Sequence, residues 1–166
     1  MSATIVLTKT TGASPGSETV VTGVSAMSTD SSINTSPQRI AYPIEIPAAG
    51  SEYSYENWLA FKCTGAPDTQ AYNFKVWGPA SQPETGVTVW VKSAAAYQTP
   101  AEPASTAGFT RQDTNYYDSS HYLTVSGTLT VSGDVTDYFV VMVQVASTAS
   151  PGAMTAVTVN YSYKEQ

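Results

Sequence analysis

In HYLTVSGTLTVSGD, Leu123, Val125, Leu129 and Val131 alternate with Thr124, Ser126, Thr128 and Thr130. Successive side chains of a strand point to opposite faces, so this period of two belongs to a half-buried strand, or to a hairpin around Gly127. The same period recurs in MTAVTVNYSYK, with Val157, Val159, Tyr161 and Tyr163 expected inward. DYFVVMVQVAS is apolar on both parities, as a central strand covered on both faces requires. Between these runs stand turn segments such as SGDVTD, STASPGA and, near the start, TGASPGSE. No stretch of a dozen residues places apolar side chains at helical spacing.

Earlier in the chain, strands are expected at Ala3 to Lys9, at Thr19 to Val24, and in RIAYPIEIPAAG, where Pro43 and Pro47 remove ladder donors and place that strand at a sheet edge or bulge. SEYSYENWLAFKC reads as one longer strand with Tyr53, Tyr55, Leu59, Phe61 and Cys63 on a common face. Segment 25–37 lacks periodicity and reads as a loop or flexible arm, and 93–120 as a long loop, which in a compact domain is usually functional or hides short strands. The 166 residues fit one domain, 1–166. Eight or nine short strands at this spacing predict an all-β fold, a two-sheet antiparallel sandwich of jelly-roll or immunoglobulin-like type.

Charged residues make up only 12% of the chain, against a usual share of about 25%. The net charge of −6, with no basic cluster, argues against a nucleic-acid partner, since phosphate binding needs a concentrated positive footprint. No run is long enough to span a bilayer, so no membrane partner is expected. The opening MSATIVLTKTTG lacks the charged and long apolar regions of a signal peptide, and the lone Cys63 cannot form an internal disulfide.

Catalytic material is sparse. His121, the only histidine, follows Asp118, Ser119 and Ser120, but neighbours on an extended segment cannot converge as a triad. No enzyme activity, no cofactor and no metal are expected. Asp113 with Asp118, and Asp134 with Asp137, carry the oxygens a calcium ion would take, yet their spacing matches no calcium loop and fits turn aspartates. Cys63 falls on an apolar strand face, as a small buried hydrophobe would.

The three tryptophans break the pattern. Trp58 shares a parity with Glu56 and Lys62, Trp77 with Asn73 and Lys75, and Trp90 with Thr88 and Lys92. Three readings are open: a sugar-stacking surface, a protein contact in which aromatics act as anchors, or faces covered by the 93–120 loop or the N-terminal segment.

Several stretches carry a family resemblance. These are the Ile46-Pro47-x-x-Gly50 turn before a Ser-Tyr strand, the Asn73-Phe-Lys-x-Trp77 strand, Gly86-Val-Thr88, the Tyr97-x-x-Pro100 loop and the closing Ser162-Tyr163, where Lys164 intervenes before the acidic Glu165. From about Ile44 to Glu165 the order resembles that of small virion structural proteins of tailed bacteriophages and related proviruses. The resemblance implies a non-enzymatic virion component, such as a capsid decoration, head-vertex, neck or tail protein, assembled in the host cytoplasm. It also implies contacts with other virion proteins and with further copies of itself as a homo-oligomer. Trp58, Trp77, Trp90 and Tyr97 are then candidate interface residues, buried against a loop of the same chain or against a neighbour. The alternative is a carbohydrate- or receptor-binding β-sandwich with a glycan on the tryptophans.

Overall fold

The computed structural model describes residues 2–31 and 36–166. Its described residues form ten strands: β1 (Thr4–Thr11), β2 (Ser17–Val20), β3 (Ser51–Tyr53), β4 (Asn57–Gly65), β5 (Ala71–Trp77), β6 (Val87–Ala94), β7 (Thr110–Arg111), β8 (Leu123–Leu129), β9 (Tyr138–Ala146) and β10 (Asn160–Glu165). Two short helices, α1 (Ser36–Ala41) and α2 (Gln112–Asn115), complete the regular structure. The strands make two antiparallel sheets. The large one runs β2-β1-β4-β9-β6-β7 with β3 also paired to β9, and the small one runs β10-β5-β8. The all-β two-sheet sandwich expected from the alternation is therefore the fold, with ten strands rather than eight or nine because β3 and β4 are separate and β7 is only two residues long.

The core fills the space between the sheets. Phe61 of β4 stacks at 5.4 Å on Phe74 of β5 and at 5.5 Å on Phe139 of β9, and Phe74 stacks on Tyr163 of β10. Leu59, Cys63, Ala71, Val125 and Leu129 close the same cluster. β9 is central, lying between β4 and β6, which is why it is apolar on both parities.

Three strands do not cover seven. At one end of the large sheet, Val87, Val143 and Val145 form a second apolar cluster, closed by Ala26, Ile44 and Ala149 from irregular segments. Here two expectations need correction. RIAYPIEIPAAG is not a strand: its first residues belong to α1 and 42–50 carries no ladder. Pro37 sets a helical φ in the first turn of α1, while Pro43 and Pro47 withhold the donors a strand would need. Nor is 25–37 a free arm along its length. Met27 is buried, its carbonyl accepts from Tyr55 N–H at 3.0 Å, and Ser28 N–H donates to the Tyr42 carbonyl at 3.1 Å. Residues 32–35 of that segment lie outside the described residues. No helix among the described residues is long and apolar enough to cross a membrane.

A third correction concerns parity. Tyr53 pairs with Gln144, but Asn57 pairs with Val141, so the register slips by one residue between β3 and β4. Ser54 holds the slip by donating its N–H to the Val143 carbonyl and accepting the Val143 N–H on Oγ. A one-residue slip exchanges faces, and Tyr53 leaves the side of Leu59 for that of Trp58. In β5 the same happens at Asn73, whose φ of 58° makes a bulge against both neighbours. Tyr72 thereby parts from Phe74 and Val76, and Ala71 takes the inward place.

Candidate functional site

The outer face of the large sheet carries two of the three tryptophans. Across its ladder Thr10 faces Trp58, Trp58 faces Val140, Val140 faces Lys92, and Trp90 faces Met142 on one side and Arg111 on the other. The parity read from the sequence is correct for Trp58 and Trp90, but this part of the face does not meet water. Trp58 is only 1% exposed, and Val140 and Met142 are fully buried.

A strap, residues 95–109 between β6 and β7, crosses above Trp58. Tyr97 stands edge-on to the Trp58 ring at 5.5 Å and Tyr138 does so at 5.8 Å, the T-shaped geometry that aromatic quadrupoles favour. Pro100 is buried, and the Ala101 carbonyl accepts the Glu56 N–H at 3.0 Å. The strap is also tied to the β1–β2 turn: Tyr97 Oη donates to the Gly12 carbonyl at 2.6 Å, and Thr99 Oγ1 accepts the Ser14 N–H at 3.0 Å. Gly16 makes this approach possible, because a Cβ there would stand 2.5 Å from the Tyr97 ring. Burial pushes the Tyr97 hydroxyl up to about 12.

Beneath the strap lies a charged pair. Glu56, itself buried, accepts from Trp58 Nε1 at 3.0 Å and from Lys92 Nζ at 2.6 Å, so both carboxylate oxygens are satisfied. The Lys92 ammonium sits 4.2 Å from the centre of the Phe109 ring, a cation–π contact that brings the far end of the strap onto the sheet. Trp58 and Tyr97 of the four candidate interface residues thus meet each other inside the chain. Trp90 is half-buried nearby, its Nε1 donating to Gln144 Oε1 at 2.8 Å while Gln144 Nε2 donates to Ser51 Oγ.

Trp77 is not brought to this group. It ends β5 opposite Asn160 in the small sheet and borders a narrow apolar cleft between the sheets, with Val76, Val91, Tyr116, Val157 and Val159 among its walls. The cleft holds about 30 Å³, little more than one water molecule and far below a small-molecule site.

The titratable candidates are occupied by turns. Asp118 accepts the Ser120 and His121 N–H groups and lies 3.0 Å from His121 Nδ1, and these bonds hold its carboxyl below the ordinary range. The His121 ring stacks on Tyr117 at 4.3 Å. Among the described residues, the imidazole's hydrogen-bond partner is the Asp118 carboxylate rather than Ser119 or Ser120. Asp134 caps its turn through Thr130 N–H, Thr130 Oγ1 and Val131 N–H, and Asp113 is clamped by both Nε and Nη2 of Arg111. Among the described residues, no three His, Cys, Asp or Glu side chains converge to hold a metal. Cys63 is fully buried, and burial with Asp134 nearby pushes its thiol up.

Lys9 and Gln112 are two of several buried polar residues that the sequence reading does not single out. Lys9 follows Ile5 and Leu7 on the inward parity, pairs with Leu59, is 3% exposed and donates from Nζ to the Ser31 carbonyl at 2.6 Å; burial lowers its pKa. The inward spacing of Ile5, Leu7 and Lys9 was the available signal. Gln112 donates to the carbonyls of Pro79 and Tyr116, joining α2 to the end of β5, and no periodicity marks it. Comparison with family models, with curated proteins and with solved structures returned no match to the chain.

Proposed function

We propose that this chain is a non-enzymatic structural protein of a virion, a capsid decoration, head-vertex, neck or tail component, that works by contact with other protein subunits. The observation that carries the reading is where apolar side chains are left outside. Ile40 is 79% exposed, with Tyr42 and Ile46 exposed close by in sequence, and Met154, Val159 and Tyr161 are exposed within eight residues of one another, Tyr161 resting one face on Phe61. Grouped apolar exposure of this kind marks contact surfaces more often than scattered single residues do. Of the four aromatics first considered, Trp58 and Tyr97 stabilise the chain's own strap, leaving Trp90 half-buried on the outer face of the large sheet and Trp77 half-buried at the end of β5.

The test is the composition of purified particles. An antibody raised against the chain is expected to label density-purified particles from the source, and mass spectrometry to find the chain there at a fixed copy number. Absence from the particles, with the chain abundant in the lysate, would overturn the reading. The sugar-binding alternative predicts instead a glycan-array signal abolished by Trp77→Ala or Trp90→Ala.

A further inference from the structure

β10 closes one edge of the small sheet, paired with β5 on one side and with no strand among the described residues on the other. The six residues before it, MTAVTV at 154–159, have strand-forming composition but no ladder. The cause lies in the partner strand. Beyond the Trp77–Asn160 pair, the Gly78 N–H is already donated to the Tyr116 carbonyl and Pro79 has no N–H to give. Among the described residues, the backbone of 154–158 makes one hydrogen bond, from Thr155 N–H to Glu84 Oε1 at 2.8 Å, which fixes where the segment starts. All of 154–161 except Val157 is exposed, including the large side chains of Met154, Val159 and Tyr161.

Exposed edges of natural sheets are usually guarded by charge, proline or shortness. This one is unguarded. No charged residue occurs between Asp137 and Lys164, in a chain whose net charge is −6. Two copies of so acidic a chain meet most readily where carboxylates are few, and along this stretch the one carboxylate held by the backbone among the described residues is Glu84, bound by Thr155 at its start.

Building on the subunit-contact reading above, we propose that residues 153–163 pair edge to edge with the same stretch of a second copy, joining two small sheets into one continuous antiparallel sheet. A two-fold axis perpendicular to the sheet matches residues of equal parity. Centred on Thr158, it sets Thr158 against itself, Val157 against Val159, Ala156 against Asn160 and Thr155 against Tyr161. These are favourable β-branched, threonine and aromatic cross-strand pairs. Lys164 then falls opposite Gly152, and Glu165 opposite Pro151, so neither charge meets its own copy.

Sedimentation equilibrium is expected to show the mass rising with concentration from 17.5 kDa toward twice that value. Because Cys63 is buried, Thr158→Cys supplies the one accessible thiol, and mild oxidation should link it as a dimer at least about tenfold faster than Ser132→Cys on a distant turn. Adding Val159→Lys, at the half-exposed rim of the inter-sheet cleft, should abolish both the mass increase and the fast linkage while far-UV circular dichroism stays that of the wild type. A chain that stays monomeric at every concentration, or a Thr158→Cys variant that links no faster than Ser132→Cys, overturns the pairing. Self-association that persists in Val159→Lys overturns this edge while leaving the subunit-contact reading in place. That reading stands or falls on the particle composition.

Discussion

Removing the Tyr97 ring tests whether the strap or a partner accounts for the buried state of Trp58. Tyr97→Ala deletes the hydrogen bond to the Gly12 carbonyl, of net value about 1 kcal/mol at a partly exposed site. It also removes the edge-on contact with Trp58, about 1 kcal/mol beyond its area. The apolar surface lost with a half-buried ring adds about 1 to 1.5 kcal/mol, less than the cost of deleting a core aromatic. The total is about 3 kcal/mol. Tyr97→Phe, which keeps the ring and loses only the hydroxyl, should cost about 1 kcal/mol. Urea unfolding measures both values. In a Trp77→Phe, Trp90→Phe background, Trp58 becomes the sole indole emitter; its fluorescence should shift red and become quenchable by iodide in Tyr97→Ala but not in Tyr97→Phe. A loss below about 1 kcal/mol for Tyr97→Ala, with Trp58 emission unmoved, would refute the view that the strap roofs this face.

Three further outcomes are expected. Gly12 and Gly16 both have positive φ, but a Cβ at Gly12 meets nothing within 4 Å whereas one at Gly16 meets the Tyr97 ring. Gly12→Ala should therefore cost only the backbone strain of about 1 to 2 kcal/mol, and Gly16→Ala distinctly more; equal thermal midpoint losses would contradict the packing of Tyr97 on that turn. The Tyr97 hydroxyl is raised from its ordinary 10 to about 12, so its contribution to stability is complete below pH 10 and fades as pH climbs toward 12. Wild type should lose stability over that window more steeply than Tyr97→Phe in pH-dependent urea melts. At the acid end, Asp134 has a lowered pKa through its bonds to Thr130 and Val131, so its contribution is present above about pH 3.8 and lost as pH falls below it. Asp134→Asn should flatten the acid limb of the stability profile, and an unchanged limb would remove the turn cap from the explanation.

The two-residue period made the strands and their sandwich arrangement legible, because burial of one face of a sheet imposes that period directly. Trp58 shows where the period stops informing. Its parity was readable, yet its burial depends on a strap of Ala, Ser, Thr and Pro that has no period of its own and lies far along the chain. The slips at Ser54 and Asn73 were equally hidden, since one inserted residue leaves composition untouched while exchanging faces for everything beyond it. RIAYPIEIP misled for a related reason. Ile44 is held by packing on the Val87 cluster rather than by a ladder, and apolar spacing does not distinguish the two. The run from Tyr138 to Tyr163 carries no charge, a feature not used in the sequence expectations, and the lack of a ladder at its 154–159 end follows from the commitments of Gly78 and Pro79.

Amide hydrogen exchange at rising protein concentration tests most directly whether the chain acts by contact through its unguarded edge. Exchange at 154–161 should slow as concentration rises, while the strap at 95–109 stays unchanged and Val159→Lys removes the effect. Exchange at 154–161 that is indifferent to concentration, or protection gained at the strap instead, would contradict it.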